Sequence, residues 1–262
     1  MNKLKSYAAS RRGRDTLLSF GIVIAAFIIV QALIAGGMIS SQIKGLLVPI
    51  CAYVVMAISL NLTVGILGEL SLGHAGFMSV GAFAGIVTTT CLADAIPLAP
   101  LRLAVAMIVG AVFAALAGVI VGVPVLRLKG DYLAIVTLAF GEIIKELVTC
   151  LIVGHDENGL HILFNLTGNK TVDDLHLTET GTAIIKGAQG TANVKTIASF
   201  TAGFILVMLT LVIVLNLKHS RAGRAIMAMR DNRIATESIG INVTKYKLMA
   251  FVTSAALAGA AG

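Results

Sequence analysis

Five stretches of this chain run for more than twenty residues without Asp, Glu, Lys or Arg. Thr16 to Ile43 is 28 residues long, Gly45 to Gly68 is 24, Leu70 to Ala93 is 24, Leu103 to Leu126 is 24 and Thr196 to Leu217 is 22. About 20 apolar residues, rising 1.5 Å each, cross a hydrocarbon core of ~30 Å. Backbone in lipid must satisfy its own hydrogen bonds, and a continuous apolar run does so as a helix. Tyr132 to Val153 reads as a weaker sixth span, interrupted by Glu142, Lys145 and Glu146. Leu248 to Gly262 opens a seventh that stops after 15 residues, from which a C-terminally incomplete chain is expected. The expected fold class is all-α, a polytopic transmembrane helical bundle.

Composition agrees with that class. The chain is 57% hydrophobic and 13% charged, against roughly a quarter charged in soluble domains. A soluble enzyme, a disordered tail and a fibrous protein are set aside. The first apolar run is too long for a signal peptide's h-region of ~7–15 residues and reads as a retained span. Cys51, Cys91 and Cys150 lie scattered in apolar runs and form no disulfide or metal pattern. No phosphate-cradling G-x-x-x-x-G-K-[ST], dinucleotide fingerprint, H-E-x-x-H or G-x-S-x-G occurs, and His74, His155, His161, His176 and His219 do not cluster. The expectation is no catalytic residue, no metal and no cofactor in this chain, with the lipid bilayer as its surroundings.

The flanking charges set the expected orientation. Residues 1–15 carry Lys3, Lys5, Arg11, Arg12 and Arg14 against Asp15, and residues 218–247 carry seven basic groups against Asp231 and Glu237. Residues 154–195 hold three lysines against five acids. The expected organisation is a cytoplasmic N-terminus over 1–15, spans 1–5 within 16–153, an extracytoplasmic loop over 154–195 and a sixth span over 196–217. A cytoplasmic segment over 218–247 and the start of a further span over 248–262 follow. The net charge of +7 is thus an orientation signal. It is no nucleic-acid footprint, because no aromatics interleave with the basic groups.

Three stretches carry more than hydropathy. In the first, Gly73, Gly81 and Gly85 recur at multiples of four, a spacing that lets another helix pack closely. Beside them lie Glu69, Ser71 and His74, and Gly65 and Gly68 would permit a broken helix, as at the substrate paths of many transporters. In the second, Gly130 ends one helix and Asp131 starts the next. Glu142 then lies roughly 16 Å into the span, with Lys145 placed to pair with it. That pair is either a structural pair buried against the bundle or a polar lining or gate. The third, Ser220 to Lys247, is too polar to span and too patterned for a tether. Ala222, Ile226, Met229 and Arg233 fall at helical spacing, Ile234 and Ile239 continue an apolar stripe, and Gly240 closes a second short helix. Two short amphipathic helices joined near Asp231 and Asn232 fit best. They suit either anionic headgroups or a partner's groove.

The third stretch, with Gly223-Arg-Ala, Ala228-Met-Arg-Asp-Asn and Ile239-Gly-Ile-Asn, resembles the coupling segment of ABC-importer permeases. Ser71-Leu-Gly-His-Ala-Gly-Phe and Lys129-Gly-Asp-Tyr-Leu-Ala-Ile-Val-Thr-Leu-Ala-Phe-Gly-Glu-Ile resemble the branched-chain amino acid permeases, of the type that partners a second permease. The resemblance runs from about residue 45 to the end. Asn158-Gly159-Leu160 is similar to the start of the family's outer loop, although Gly154-His-Asp-Glu replaces its usual Gly-rich lead-in.

The resemblance implies a multi-pass subunit of a bacterial-type inner membrane. It would pair with a homologous permease, two cytoplasmic ATPase subunits carrying ATP and Mg, and an extracytoplasmic binding protein that delivers leucine, isoleucine or valine. Under it, Arg221, Arg224, Arg230 and Asp231 set docking register, Ile226, Met229, Ile234 and Ile239 supply buried contact to the ATPase, and Gly223 and Gly240 shape the segment. Glu69, Ser71, His74, Glu142 and Lys145 are the candidates for a path or gate. The path itself is expected to be mostly apolar, without a tight amino-acid pocket. Alternatives are an importer permease for a sugar, nucleoside or urea-like solute, an ion-coupled transporter using Glu69, His74 and Glu142 as proton sites, and a membrane-embedded enzyme.

Overall fold

The structure is a computed structural model that describes residues 11–93, 95–126, 131–156, 159–165, 172–175, 181–191 and 196–262. Lys129, Gly130 and Asn158 of the sequence motifs lie outside the described residues. Its helices are α1 (Arg11–Ala35), α2 (Ser41–Asn61), α3 (His74–Cys91), α4 (Ala99–Val125), α5 (Asp131–Thr149), α6 (Phe200–His219), α7 (Arg221–Asp231), α8 (Arg233–Ser238) and α9 (Val243–Ala261). A π-helical turn, Leu62–Leu67, prolongs α2. Between α5 and α6 stand three strands, β1 (Leu151–Asp156), β2 (Gly159–Phe164) and β3 (Thr182–Lys186).

Among the described residues, four helical stretches are long and apolar enough to cross a membrane: Thr16–Ala35, Ser41–Leu67, Ala99–Val125 and Phe200–His219. Helices α3, α5 and α9 are 18 or 19 residues long, and the charges within α5 and α9 lower their apolarity. The uncharged runs and the helices do not share boundaries. The first run breaks at Gly36 and Gly37, where Gly37 takes φ +69°, and α2 begins three residues before its first charge, Lys44. A left-handed glycine ends a helix whether or not a charge stands nearby. Likewise the sixth span stops at Thr149, and Leu151 to Val153 join β1 instead of extending α5. The helical bundle is as expected; the sheet, in order β2-β1-β3 and antiparallel throughout, is an addition that hydropathy runs do not reveal.

Glycine sets how closely the central helices approach. A Cβ on Gly81 of α3 would lie 2.1 Å from the Gly259 carbonyl oxygen of α9, and one on Gly110 of α4 would lie 2.8 Å from the Gly81 carbonyl oxygen. Backbones of α3, α4 and α9 thus touch, the contact that small residues permit in lipid. Gly85, on the same face, has only an ordinary 3.7 Å contact. Below the contact, Phe77 packs against Phe140 of α5 and Phe251 of α9, with ring centroids 5.0 and 5.5 Å away. A second core joins α2 to α6 through Cys51, Val55, Leu206 and Val207.

Candidate coupling site

The chain leaves α-helical geometry at Leu62, passes through the π-helical turn to Leu67 and returns to α-helix at His74. Side-chain hydroxyls loosen the ladder just before the break: Ser59 Oγ donates to the Met56 carbonyl at 2.8 Å and Thr63 Oγ1 to the Leu60 carbonyl at 2.9 Å. Gly68 then takes φ +79°, the left-handed conformation that ends the π-helical turn. The sequence expectation that Gly65 and Gly68 permit a broken helix is met in this form. The far end of the break is pinned to α5. Thr137 Oγ1 donates to the Ala134 carbonyl at 2.9 Å and accepts from the Leu72 amide at 3.1 Å. A Cβ on Gly73 would fall 1.8 Å from the Thr137 carbonyl oxygen, so only glycine allows this approach.

Glu69, within the break, forms an ion pair with Lys247, the fifth residue of α9. The two side chains are 17% and 8% exposed, so the pair is withdrawn from solvent within one chain. His74 is buried at the start of α3, and its Nε2 lies 2.8 Å from Ser59 Oγ. With the Ser59 hydroxyl proton directed at the Met56 carbonyl, the tautomer of His74 that carries Nε2–H matches this contact. Ser254 Oγ of α9 donates to the Ser59 carbonyl, which ties α2, α3 and α9 together. Ser71 Oγ and His74 Nδ1 are buried without a hydrogen-bond partner among the described residues.

Helix α7 lies against this break. Ser220 caps it, accepting from the Gly223 amide at 3.0 Å while donating to the Leu217 carbonyl at 2.7 Å. Gly223 is needed at this corner, since a Cβ there would meet the Leu217 carbonyl oxygen at 2.1 Å. Ile226 and Met229 are buried in one cluster with Leu62, Ile66 and Leu67 of the π-helical turn. At the end of α7, Arg230 Nη1 donates to the Gly65 carbonyl, a group that the irregular turn leaves available, and its side chain packs on Gly68. Arg221, Arg224 and Asp231 are exposed, with Arg224 Nη1 donating to the His219 carbonyl at 3.2 Å.

Helix α8 is separated from α7 by Asn232, whose side chain accepts from the Ala235 amide at 3.0 Å. It ends in a Schellman motif: Gly240 N–H reaches the Glu237 carbonyl at 3.0 Å and Ile241 N–H the Thr236 carbonyl at 3.3 Å, with Gly240 at φ +84°. Two short helices joined near Asp231 and Asn232, with Gly240 closing the second, are as the sequence leads one to expect. Their apolar residues divide, however. Ile226 and Met229 fill this chain's own core, which corrects their assignment as partner contacts; a side chain with no free surface has none left to offer. Ile234 and Ile239 stay 78% and 73% exposed.

On α5, Lys145 Nζ meets Glu142 Oε2 at 3.1 Å, with side chains 67% and 62% exposed. The pair forms, and within the described residues it is exposed. The face of α5 that carries it is not covered by the chain's other described helices. The residues that sequence reasoning passed over as partners are Ser59, Thr137, Ser254 and Lys247. Lys247, the second of two lysines (Lys245 and Lys247) just before an apolar run, is the one that a charge count could have paired with the lone Glu69.

The sequence profile of the family described as "Branched-chain amino acid transport system / permease component" matches residues 42–262. Two curated relatives, both titled "High-affinity branched-chain amino acid transport system permease protein LivM", come from Salmonella typhimurium strain LT2 and Escherichia coli strain K12. Each is 35% identical over 225 residues, covering 80% of this chain and 49% of the relative, so the chain spans about half the length of the curated relatives it matches. No solved structure matches. With the profile covering the broken helix, α7 and α8 alike, the chain belongs to the family of branched-chain amino acid transport system permease components.

Proposed function

We propose that this chain is one of two homologous permease subunits of an ATP-driven importer for leucine, isoleucine and valine in a bacterial-type inner membrane. Two cytoplasmic ATPase subunits, carrying ATP and Mg, drive the pair, and an extracytoplasmic binding protein delivers the amino acid. The chain itself contributes no cofactor. Its N-terminus and the α7–α8 segment face the cytoplasm, and the β-sheet faces outward. The observation that carries this reading is the seating of α7 on the helix break, through Arg230 on the Gly65 carbonyl and Ile226 and Met229 on Leu62 and Ile66.

In this mechanism the ATPase grips α8 through Ile234 and Ile239, with Arg221, Arg224 and Asp231 setting register by charge. Closure of the ATPases moves α8 and α7 as one body. Arg230 and the apolar contact transmit the movement to the break, a joint between two spans. The bundle then switches between two packings, each favoured by one nucleotide state. Glu69 and His74 anchor the joint through Lys247 and Ser59, with Ser71 buried beside them. The open Glu142 and Lys145 pair supports a lining role, because a charge at that depth is tolerated where it faces water or protein and is costly in lipid. An apolar cavity of about 410 Å³, bordered by Ala52, Met78, Gly81, Gly85, Leu206 and Gly259, supports a weakly binding path.

The test is uptake of labelled leucine into vesicles after tagging this subunit in its native membrane and purifying what accompanies it. An ATPase and a second permease should co-purify, and transport should require ATP and be competed by isoleucine and valine. Transport that persists without the ATPase and collapses with an uncoupler identifies an ion-coupled carrier. Competition by ribose in place of isoleucine identifies a different cargo.

A further inference from the structure

One face of the β-sheet has no role in the reading above. Cross-strand partners in an antiparallel sheet share a face. The register pairs Leu151 with Phe164, Val153 with Ile162 and His155 with Leu160 across β1 and β2, and Val153 with Ile185 across β1 and β3. Val153 and Ile185 are buried, and with Leu151 they pack on Phe83, Ile86 and Val87 of α3. Leu160, Ile162 and Phe164 continue the same face outward on β2, an edge strand, and are 42%, 56% and 49% exposed. Among the described residues nothing in the chain covers them.

The contact on α3 fixes the depth of this row. Val87 and Phe83 stand four and eight residues before the end of α3 at Cys91, roughly 6 and 12 Å inside that end. Strand β1 starts two residues after α5 stops at Thr149. The sheet therefore lies beside the last turns of α3, which the uncharged run Leu70 to Ala93 marks as an expected span, and not beyond its end. The row on β2 continues the face that packs on α3, one strand beyond β1. The opposite face is more polar: His161 lies there, its Nε2 3.1 Å from Asp156 Oδ1. The 20 residues of α6 separate this sheet from the α7–α8 segment, so the two occupy opposite ends of the bundle.

We propose that β2 seats in the bilayer, with Leu160, Ile162 and Phe164 at the boundary between acyl chains and headgroups of the leaflet opposite the coupling segment. The occupant of this face is lipid. The boundary is the depth at which an open strand edge is tolerable, because headgroups and water reach its free N–H and C=O groups; in the hydrocarbon centre such an edge would be costly. Seated in this way, the sheet stays level with the end of α3 and fixes the connection between α5 and α6.

The chain contains no tryptophan, which supplies the experiment. The Ile162→Trp variant, and separately Phe164→Trp, is purified with its partner subunits and placed in phosphatidylcholine–phosphatidylglycerol vesicles. The wild-type preparation is subtracted, so that the difference emission reports the new position. The expected result is strong loss of difference emission with lipids carrying a nitroxide at the fifth acyl carbon, a smaller loss with the nitroxide at the twelfth, and little quenching by aqueous iodide. Ready quenching by iodide with none by either lipid overturns the proposal in favour of a solvent-exposed face. Protection from all three quenchers overturns it in favour of contact with another subunit. Neither result bears on whether ATP drives transport.

Discussion

Helices α7 and α8 are one residue apart and put their isoleucines to opposite uses. In α7, Ile226 is fully buried and Met229 nearly so, both against the irregular turn that ends α2. In α8, a helix of six residues that touches the bundle lightly, Ile234 projects outward, and so does Ile239, which caps its end. Both are amphipathic helices on the same flank of the molecule. The difference is what lies beneath: α7 covers a break whose carbonyls and leucines need partners, whereas α8 stands beyond it. An apolar stripe records that a helix has something to bury but not whether its own chain or another supplies the cover.

The largest effects should separate the two helices. Ile226→Asp places a charge in an apolar core, a change among the few expected to cost more than about 4 kcal/mol. It should abolish accumulation of the protein in the membrane. Ile234→Asp should accumulate at the wild-type level and lose ATP-driven uptake. Immunoblots of membranes beside uptake assays check both, and equal losses of protein would erase the distinction.

The anchoring of the joint comes next. Glu69→Ala strands Lys247 in a buried site and should destabilise by about 3–5 kcal/mol. Glu69→Ala with Lys247→Ala should cost less than the single change. Thermal unfolding in detergent distinguishes the cases, and a double variant no better than the single would show that the two residues do not act as a pair. Arg230→Ala removes one charged hydrogen bond, worth about 1.5–3 kcal/mol at most. It should leave protein level nearly unchanged while lowering transport per ATP hydrolysed, and Arg230→Lys should restore only part. Preserved coupling in Arg230→Ala would move the transmission elsewhere on α7. The smallest effect is expected at Gly240→Ala. Nothing lies within 4 Å of its Cβ position, so only the left-handed backbone resists, at roughly 1–2 kcal/mol. The loss should be confined to α8 and measurable as faster amide exchange over 233–241.

Much of this architecture is legible in the sequence because membrane crossing and helix termination are local problems. The uncharged runs locate the apolar spans, Gly65 and Gly68 mark the break, and Asn232 and Gly240 bracket α8. What is not legible depends on which surfaces meet. Gly81 and Gly85 look equivalent as a four-residue repeat, yet a Cβ at Gly81 would strike the Gly259 carbonyl and one at Gly85 would not. Glu69 and Lys247 are 178 residues apart, and no spacing rule connects them. The sheet escapes notice for a related reason. Its first strand continues an apolar run that hydropathy assigns to a helix, and its inner face is apolar because it packs on α3 rather than because it spans.

Cysteine labelling tests the contrast between α7 and α8 most directly. In a background with Cys51, Cys91 and Cys150 replaced, single cysteines are placed at residues 226 and 234, and inside-out vesicles are treated with a maleimide that does not enter lipid. The position-234 thiol should react in the absence of the ATPase and be protected once the complex assembles, while the position-226 thiol stays unreactive in both states. Reaction at 226 as fast as at 234, or labelling at 234 that the ATPase does not alter, would contradict an inward-seated α7 carrying an outward-facing α8.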